Sequence, residues 1–541
     1  MFFALSALWF IRTSKHILFW IYFWQLKDYH IGRFLDHFKT HKGKKLILSP
    51  MQLFKVFVVG FFILTPNFFS GFLPLILFYA YLFETILFLT QTLRKRTKTP
   101  VFTKKAIFLS LLLLFMSAFL TAALNYYNKN IFWLSFYLLL FDILLPLIIS
   151  FVILFFQPLT VLIRNNTLKR ATKKIENLKL KSNKPLVIGI TGSYGKTSTK
   201  EFLAEILSAK FKVLKTKKHQ NSEIGIAKCI LNDLTDAHDI FIVEVGAYDK
   251  GKVREVCLMI KPKIGIVTGV NEQHLSLFGS MEKLLSAEGG GELAEILPKN
   301  GILVLNGDNK YCIGLAKQVN NAPEKIYTTN KNIIDSEIWT EEAEAAENFV
   351  SFVAMNKSRE LGHFQVNVLG KQNIQNLLAA ILVARELGMS FQQIIEASKN
   401  IKEEQAGMTL KKGRHGINII DSSYSSNSDG VIADLDYLNI FLKKKVIVMP
   451  CLIELGGKSS QVHKKIGMKI GAVCDMAIIT TRDKFNEIKS GAVEAGMDSK
   501  KIILCDNPKE ISTIITISCV NGDAVLLEGR VPSNLINLLT A

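Results

Sequence analysis

A short run of glycine, lysine and threonine between an apolar segment and a helical segment is the part of this sequence best suited to chemistry. Glycine lets the backbone curl so that its N–H groups face a phosphate, and the amino end of the following helix favours negative charge. Lys196 can reach the outer phosphates, and the Thr197 hydroxyl can ligate Mg²⁺. The run predicts a nucleotide phosphate loop, although Ile190 stands where glycine is common; the alternative is a bare strand-to-helix turn. The loop residues are Gly192, Ser193, Tyr194, Gly195, Lys196, Thr197 and Ser198.

The segments around this run alternate between strand-like and helical patterns. Strands are expected at 186–190, 239–245, 264–269 and 302–305, with helices at 199–210, 223–233 and 281–297. Such alternation predicts a mostly parallel sheet covered by helices. An antiparallel region at 325–370 with a Glu-rich loop at 341–347, and a helix at 375–387, are expected next. A second α/β unit of Rossmann type is predicted from 406, with strands near 417–421, 445–449, 476–480, 501–504 and 524–527.

Polar side chains occur where predicted strands end, which is where ligands bind in such sheets. Glu244 is the one acid in an apolar strand, and a buried carboxylate is costly unless it is paired or binds a metal. His274 follows the next strand, which favours a metal or phosphate role over a structural one. Asp421 and Tyr424 follow a strand of the second unit and resemble a nucleotide contact. The alternatives are a structural ion pair for Glu244 and a helix cap for Asp421.

The first third of the chain has a different composition. Residues 1–184 hold 24 of the 66 Lys and Arg but only 5 of the 46 Asp and Glu, so nearly all of the net charge of +20 lies in them. The charge of the remaining residues therefore does not indicate nucleic-acid binding. Apolar stretches lie at 2–25, 52–69, 71–93, 106–126 and 131–157, and a helix needs about 20 apolar residues to span a bilayer. We expect four or five membrane helices; the first stretch, interrupted by Arg12, either spans or lies in the interface.

The charge of the loops predicts topology. The loops at 27–45, 94–105 and 164–184 are basic, which places them and the C-terminal region on the cytoplasmic side. We therefore expect a multi-pass membrane protein whose C-terminal region lies in the cytoplasm. Glu84 and Asp142 fall inside apolar stretches and either mark function or face neighbouring helices. All seven cysteines follow residue 184 without Cys-x-x-Cys spacing, which predicts reduced, buried thiols.

The motifs together resemble the muramyl peptide ligases, the Mur ligases, over about 185–535. The resemblance is greatest to the members that add D-alanyl-D-alanine to a muramyl tripeptide. It implies an ATP-binding central domain at 185–405 and a C-terminal domain at 406–541, while the composition of the preceding residues indicates a transmembrane domain at 1–158 and a basic linker at 159–184. The motifs are Thr-Gly-Ser-Tyr-Gly-Lys-Thr at 191–197, Asn-Ser-Glu-Ile-Gly at 221–225, Val-Glu-Val-Gly-Ala at 243–247, Asn-Glu-Gln-His-Leu at 271–275, Phe-Gly-Ser at 278–280, Gly-Lys-Gln-Asn at 370–373, Asp-Ser-Ser-Tyr at 421–424 and Glu-Leu-Gly at 454–456.

The resemblance also implies a mechanism and its cofactors. ATP would convert a substrate carboxylate to an acyl phosphate, and an amine would then displace the phosphate. Lys196 would hold phosphates, and Thr197, Glu244 and His274 would hold Mg²⁺. Asn373 and Asn376 would lie near the adenine, and Asp421 would meet the nucleotide as the C-terminal domain closes. The expected substrates are a muramyl peptide, soluble or lipid-linked, and D-alanyl-D-alanine or another amine.

The sequence departs from the family pattern at several positions. Glu288 stands where the family has a lysine modified to a carbamate, so Glu288 either supplies that carboxylate directly or is a surface acid. Gln372, Met408 and Glu528 replace a histidine, an arginine and a lysine. The family's domain for the uridine-diphosphate end of the substrate is absent, and apolar segments stand in its place. This suggests a lipid-linked acceptor or one held by the membrane domain.

Three other functions remain open from the sequence. One is a folate-type or poly-amino-acid ligase on a similar fold. Another is a non-catalytic nucleotide sensor or scaffold of a cell-wall complex, favoured by the replaced His, Arg and Lys but disfavoured by Lys196, Glu244 and His274. The third is a transporter powered by the ATPase, disfavoured because the apolar segments show no inverted repeat.

Overall fold

The fold was obtained as a computed structural model. It describes residues 1–27, 29–38, 40–47, 49–64, 72–94, 97–128, 130–217, 220–319, 321–332, 334–356, 359–424, 427–532 and 534–540. Pro66, which interrupts the predicted stretch 52–69, lies outside these residues. The chain forms two compact units, Met1–Ile163 and Arg164–Ala541.

The first unit is helical. Its described residues form the helices α1 Phe2–Leu26, α2 Ile31–His37, α3 His41–Ile47, α4 Pro50–Leu64, α5 Leu73–Leu93, α6 Lys104–Tyr127 and α7 Ile131–Phe155. Three helical stretches, Leu73–Leu93, Lys104–Tyr127 and Ile131–Ser182, are long and apolar enough to cross a membrane. Many of their large apolar side chains, such as Leu111, Phe119 and Phe151, are exposed. An apolar exterior of this kind suits contact with lipid.

The charged residues inside the apolar helices pair with one another. Arg12 contacts both Glu84 and Asp142, and Lys55 Nζ lies 2.9 Å from Glu84 Oε1 and 2.8 Å from Asp142 Oδ2. The side chain of Arg12 is 1% exposed, so α1 packs among the other helices instead of lying apart from them. The cluster also explains Glu84 and Asp142, because a charge in an apolar interior needs an opposite partner.

The basic segment predicted as a linker is a helix that belongs to the second unit for most of its length. Helix α8, Gln157–Ser182, buries Leu168, Ala171 and Ile175 in the hydrophobic core of the following domain. Their spacing of three and four residues places them on one helix face. The segment is therefore packed against the domain through an apolar stripe, and its lysines occupy the remaining faces.

The central domain has a nine-stranded sheet in the order β2-β3-β1-β4-β5-β6-β7-β8-β9. The strands β1 to β7 are parallel, and β8 and β9 extend the sheet beyond β7 by antiparallel pairing. The elements of this domain are β1 Leu186–Thr191, α9 Lys196–Ser208, β2 Val213–Lys215, α10 Glu223–Asn232, β3 Ile240–Glu244, α11 Lys252–Ile260, β4 Ile264–Val267, α12 Leu275–Phe278, α13 Met281–Ser286, α14 Gly291–Ile296, β5 Ile302–Asn306, α15 Lys310–Ala316, β6 Glu324–Thr328, β7 Ile338–Ala345, β8 Val350–Asn356, β9 Arg359–Val366, α16 Asn373–Glu386 and α17 Phe391–Ser398.

Two sequence predictions for this domain are wrong. The Glu-rich segment expected to be a loop forms the end of β7, because its acids alternate with alanines and only every second side chain faces solvent. The single helix expected at 281–297 is divided into α13 and α14, because Gly290 between them has a φ of 89°. This break turns Glu288 inward.

The C-terminal domain is a six-stranded sheet in the order β10-β11-β15-β12-β13-β14, parallel except for its first strand. The five predicted strands are confirmed within one or two residues, while the edge strand β10 was missed. All seven cysteines are buried free thiols, as predicted. The elements are β10 Thr409–Lys412, β11 Asn418–Ser422, α18 Ser428–Leu438, β12 Lys445–Met449, α19 Ser459–Val473, β13 Met476–Ile479, α20 Phe485–Glu494, β14 Ile502–Leu504, α21 Pro508–Ser518, β15 Ala524–Glu528 and α22 Leu535–Thr540.

Candidate nucleotide-binding site

The predicted phosphate loop joins β1 to α9 at the carboxyl edge of the parallel sheet. Gly195 has a φ of 75°, and a Cβ there would lie 2.5 Å from Oδ1 of Asn376. Gly192 has a φ of 137° and is equally intolerant of a side chain, because Thr268 lies against it. Nζ of Lys196 donates a hydrogen bond to the Gly192 carbonyl, so the lysine lies across the loop. The backbone therefore requires glycine at both positions.

The middle of the loop is fixed by its neighbours. The ring of Tyr194 occupies the space where a side chain on Gly269 would be, and its hydroxyl accepts a hydrogen bond from Asn309 Nδ2 at 3.1 Å. Burial raises the pKa of the Tyr194 phenol well above its ordinary value. Ser198 Oγ donates to the Ala406 carbonyl at 3.1 Å. The Tyr194 side chain thus anchors the loop to Gly269 and Asn309, a role the sequence did not indicate.

Glu244 lies beside the loop at the end of β3. Its carboxylate accepts hydrogen bonds from Thr197 Oγ1 at 3.0 Å, Lys200 Nζ at 3.1 Å and Asn221 Nδ2 at 3.2 Å. Burial alone would raise the pKa of Glu244, but the charges of Lys200 and Lys196 and the hydrogen bonds lower it below its ordinary value. Glu244 is therefore ionised at neutral pH and faces the predicted metal-binding hydroxyl of Thr197.

His274 and Glu288 form a second pair at the loop. Glu288 is 2% exposed; its Oε1 lies 3.0 Å from His274 Nδ1, and its Oε2 accepts a hydrogen bond from Ser193 Oγ at 3.1 Å. The interpretation of Glu288 as a surface acid is therefore wrong. His274 has a left-handed backbone with a φ of 68°. Its neighbour Glu454 has a φ of 69°, and Oε2 of Glu454 lies 3.7 Å from His274 Nε2. Such backbone is uncommon outside glycine and concentrates at functional sites.

The residues at the loop fit a magnesium ion held together with phosphates. The described part of the chain contains no group of three His, Cys, Asp or Glu side chains that could hold a metal alone. Mg²⁺, however, is commonly bound through one or two carboxylates plus the phosphates of a substrate. Thr197 and the ionised Glu244 provide such oxygen donors 3.0 Å apart. His274 is paired with Glu288 instead, so its predicted metal role stays a prediction.

Asn373 and Asn376 lie at the start of α16, behind the loop. Asn376 Nδ2 donates to Asn373 Oδ1 at 3.0 Å, and Asn373 Nδ2 donates to the Leu369 carbonyl at 2.7 Å. Asn376 Oδ1 also accepts from Thr199 Oγ1 at 3.2 Å. Both amides are buried and engaged within the protein, so they hold α16 against α9. Their predicted contact with adenine stays a prediction.

The C-terminal domain contributes Tyr424 to the loop. Its hydroxyl shares a hydrogen bond with Thr197. Burial raises the pKa of Tyr424 most, and the charges of Glu244 and Glu201 raise it further. Asp421 is turned toward its own domain, where Lys411 Nζ lies 3.0 Å from Oδ2 and Ser423 Oγ donates to Oδ1 at 2.6 Å. Burial would raise the pKa of Asp421, but Ser423 and Lys411 together lower it. The structure therefore brings Tyr424, more than Asp421, to the candidate site.

Two departures from the family pattern meet at one buried carboxyl group. Gln372 Nε2 of the central domain donates to Asp434 Oδ1 at 3.0 Å, and Asp434 also hydrogen-bonds to Glu528 at the end of β15. Burial raises the pKa of Asp434, and its hydrogen bonds with Glu528 and Ser422 oppose that rise only in part. Met408 packs in the core of the C-terminal domain. The three replacements are thus accommodated by packing and hydrogen bonding.

Sequence reasoning missed several residues that complete the site. Lys200 is fully buried beside Glu244, and its spacing of four from Lys196 on one helix face was the available signal. Asn271 Nδ2 donates to Asn427 Oδ1 at 3.0 Å and to Asp429 Oδ2 at 2.9 Å. These last contacts join the two domains across the site, and no local pattern predicts them.

Comparison with known families covers most of the second unit. Residues 190–384 match the family described as the Mur ligase middle domain. Residues 408–531 match the family described as Mur ligase, glutamate ligase domain.

Comparison with curated proteins finds UDP-N-acetylmuramoyl-tripeptide–D-alanyl-D-alanine ligases. That of Synechocystis is 31% identical over 297 residues, covering 53% of this chain and 60% of the relative. That of Escherichia coli is 27% identical over 285 residues, covering 52% and 61%. The chain thus spans about three fifths of the length of these relatives.

Solved structures share the fold. MurF from Acinetobacter baumannii superposes with a TM-score of 0.61 at 21% identity, covering 69% of this chain and 79% of that one. The MurF ligase from Thermotoga maritima in complex with ADP gives 0.57 at 24% identity, covering 68% and 80%. At these identities the likeness establishes the fold of the central and C-terminal domains.

Proposed function

The chain belongs to the Mur ligase family through its middle and C-terminal domains, and we propose that it is an ATP-dependent ligase joining a carboxylate to an amine. The observation that carries this proposal is the phosphate loop with Lys196, next to which Thr197 and an ionised Glu244 lie 3.0 Å apart. A scaffold has no need of such a metal-competent pair beside a phosphate loop.

The first half-reaction is a phosphoryl transfer, which depends on positioning and charge neutralisation. The loop N–H groups and Lys196 would bind the phosphates of ATP, and Thr197 and Glu244 would hold Mg²⁺, which neutralises phosphate charge when bound. The substrate carboxylate oxygen attacks the γ-phosphorus, the bond to the β-phosphate oxygen breaks, and ADP and an acyl phosphate form. Glu288 fixes Ser193 and His274 at the loop through its two carboxylate oxygens.

In the second half-reaction the amine attacks the acyl carbon, the carbon–oxygen bond to phosphate breaks, and the nitrogen loses a proton. The acyl phosphate must be kept from water during this step. The C-terminal domain supplies that protection in our proposal, because Tyr424 reaches Thr197 and Asn271 bonds to Asn427 and Asp429 across the site. These contacts assemble the site only when the domains meet.

The substrates are proposed from the relatives. Their names specify a UDP-N-acetylmuramoyl tripeptide and D-alanyl-D-alanine. For this chain we propose the same amide bond, between a muramyl tripeptide and D-alanyl-D-alanine, in peptidoglycan precursor synthesis. The family matches begin at residue 190, and the residues before Arg164 form a separate helical unit. A lipid-linked muramyl peptide is therefore the acceptor we favour.

We also propose that the helical unit spans a bacterial cytoplasmic membrane several times, with the catalytic domains in the cytoplasm. Three apolar helical stretches and the basic segments 94–105 and 164–184 support this topology. Resistance of the protein to carbonate extraction from membranes tests the insertion. Release into the soluble fraction would contradict it.

The choice of acceptor is tested by incubating the detergent-solubilised protein with ATP, D-alanyl-D-alanine and one muramyl tripeptide precursor at a time. Mass spectrometry of the products identifies any new amide. We expect the lipid-linked precursor to be extended. Extension of the soluble nucleotide precursor alone would refute the lipid-linked acceptor but retain the ligase.

A further inference from the structure

Helix α8 reaches the neighbourhood of the candidate metal site through a single arginine. Arg164 is 15% exposed; its Nε donates to Glu223 Oε1 at 2.9 Å, and its Nη2 contacts Glu255. Glu223 is the first residue of α10 and is itself buried. The arginine therefore fixes the amino end of α10 through a charged, partly buried contact, the kind that is stronger than a surface pair.

The residues just before Glu223 contact the site directly. Asn221 Nδ2 donates to Glu244 Oε1 at 3.2 Å, and the Asn221 carbonyl accepts the Gly246 N–H at 2.9 Å. A Cβ on Gly246 would lie 3.3 Å from the Asn221 carbonyl oxygen, so the two backbones are closely apposed. Two residues of chain thus connect the carboxylate held by Arg164 to the amide that orients Glu244.

Glu223 depends on its cationic partners. Burial alone would raise the pKa of the Glu223 carboxyl, but its own helix N–H, Lys252 and Arg164 lower it below its usual value. Lys252 Nζ is 3.7 Å away and 30% exposed, so Arg164 supplies the closer contact. Without Arg164, a buried charge would lose its principal partner, and the segment 221–223 would relax to rehydrate it.

We propose that Arg164 is a positioning residue for the metal-binding carboxylate, acting through Glu223 and Asn221 on Glu244. The inference rests on the proposed role of Glu244 in holding Mg²⁺. It makes helix α8 a working part of the nucleotide site, although no family match includes that helix. Residues that orient a metal ligand commonly change metal affinity about 10- to 100-fold when they are removed.

The test is the affinity of the full-length, detergent-solubilised protein for ADP, measured by calorimetry with Mg²⁺ and again with EDTA. We expect Arg164→Ala to weaken ADP binding about tenfold in Mg²⁺ and to leave it unchanged in EDTA. Arg164→Lys keeps the charge and should restore part of the loss. In Arg164→Ala, the added change Glu223→Gln removes the stranded charge and should also recover affinity.

Lys174→Ala is the matched control. Lys174 lies on the same helix and donates to the Leu231 carbonyl at the opposite end of α10, at 3.0 Å. The variant Lys174→Ala should leave the Mg²⁺-dependent affinity for ADP intact. The proposal is overturned if Arg164→Ala leaves that affinity unchanged, if Lys174→Ala lowers it equally, or if binding falls equally in EDTA. These measurements need no ligase turnover, so they fail separately from the proposed reaction.

Discussion

His274 Nδ1 lies 3.0 Å from Oε1 of Glu288, and the second oxygen of that carboxylate accepts a hydrogen bond from Ser193 in the phosphate loop. One buried carboxylate therefore joins the phosphate loop to the segment that follows β4. We propose that this fixed carboxylate takes the place of the carbamylated lysine that the family resemblance implies at this position.

The first prediction concerns Glu288→Gln. The amide lacks the charge that holds His274, so substrate-stimulated phosphate release from ATP should fall to background. Glu282→Gln, which changes an exposed acid of the same segment, should keep wild-type release. Retained turnover in Glu288→Gln would refute a catalytic role for this carboxylate.

The second prediction compares two glycines with left-handed backbone. An alanine side chain at Gly195, in the phosphate loop, would clash with Asn376. An alanine side chain at Gly251, whose φ is 89°, would extend into open space. Each change costs about 1–2 kcal/mol of backbone strain. We expect Gly195→Ala alone to abolish ATP binding, measured by calorimetry. Equal losses in the two variants would show that strain, not the clash, is responsible.

The third prediction concerns the buried lysine at the site. Lys200→Met removes the principal partner of buried Glu244 and should lower the free energy of unfolding of the catalytic unit by about 3–5 kcal/mol. Lys215→Met breaks a pair with Glu201 whose lysine is 35% exposed, and should cost about 1 kcal/mol or less. Denaturant titration of both variants measures the difference; similar midpoints would contradict the importance of the buried pair.

The fourth prediction tests the contribution of the C-terminal domain. Tyr424→Phe removes the hydroxyl that forms a hydrogen bond with Thr197. Stimulated phosphate release should fall about tenfold, because that is the usual effect of losing one hydrogen bond beside a charged group. Because the pKa of Tyr424 is raised above its ordinary value of 10.0, the phenol stays protonated and its effect should not vary between about pH 7 and 9. Tyr437→Phe removes a hydroxyl that bonds the Glu347 carbonyl and serves as control. Equal activity in both variants would place Tyr424 outside the reaction.

Local sequence patterns predicted the elements that carry the site. The apolar run before Thr191 and the glycines after it indicated β1 and the phosphate loop, because their geometry depends on adjacent residues. An ion pair for Glu244 was an open alternative, but its partner Lys200 and the burial of Glu288 were not predicted, since both arise when distant segments pack together. The Arg12 cluster in the helical unit was missed for the same reason.

The most direct test of the ligase assignment is phosphate release from ATP by the detergent-solubilised protein, with muramyl tripeptide precursors and D-alanyl-D-alanine, against Lys196→Ala. We predict release that requires both substrates and Lys196. Tight ATP binding without stimulated release would contradict the ligase and indicate a nucleotide-binding scaffold.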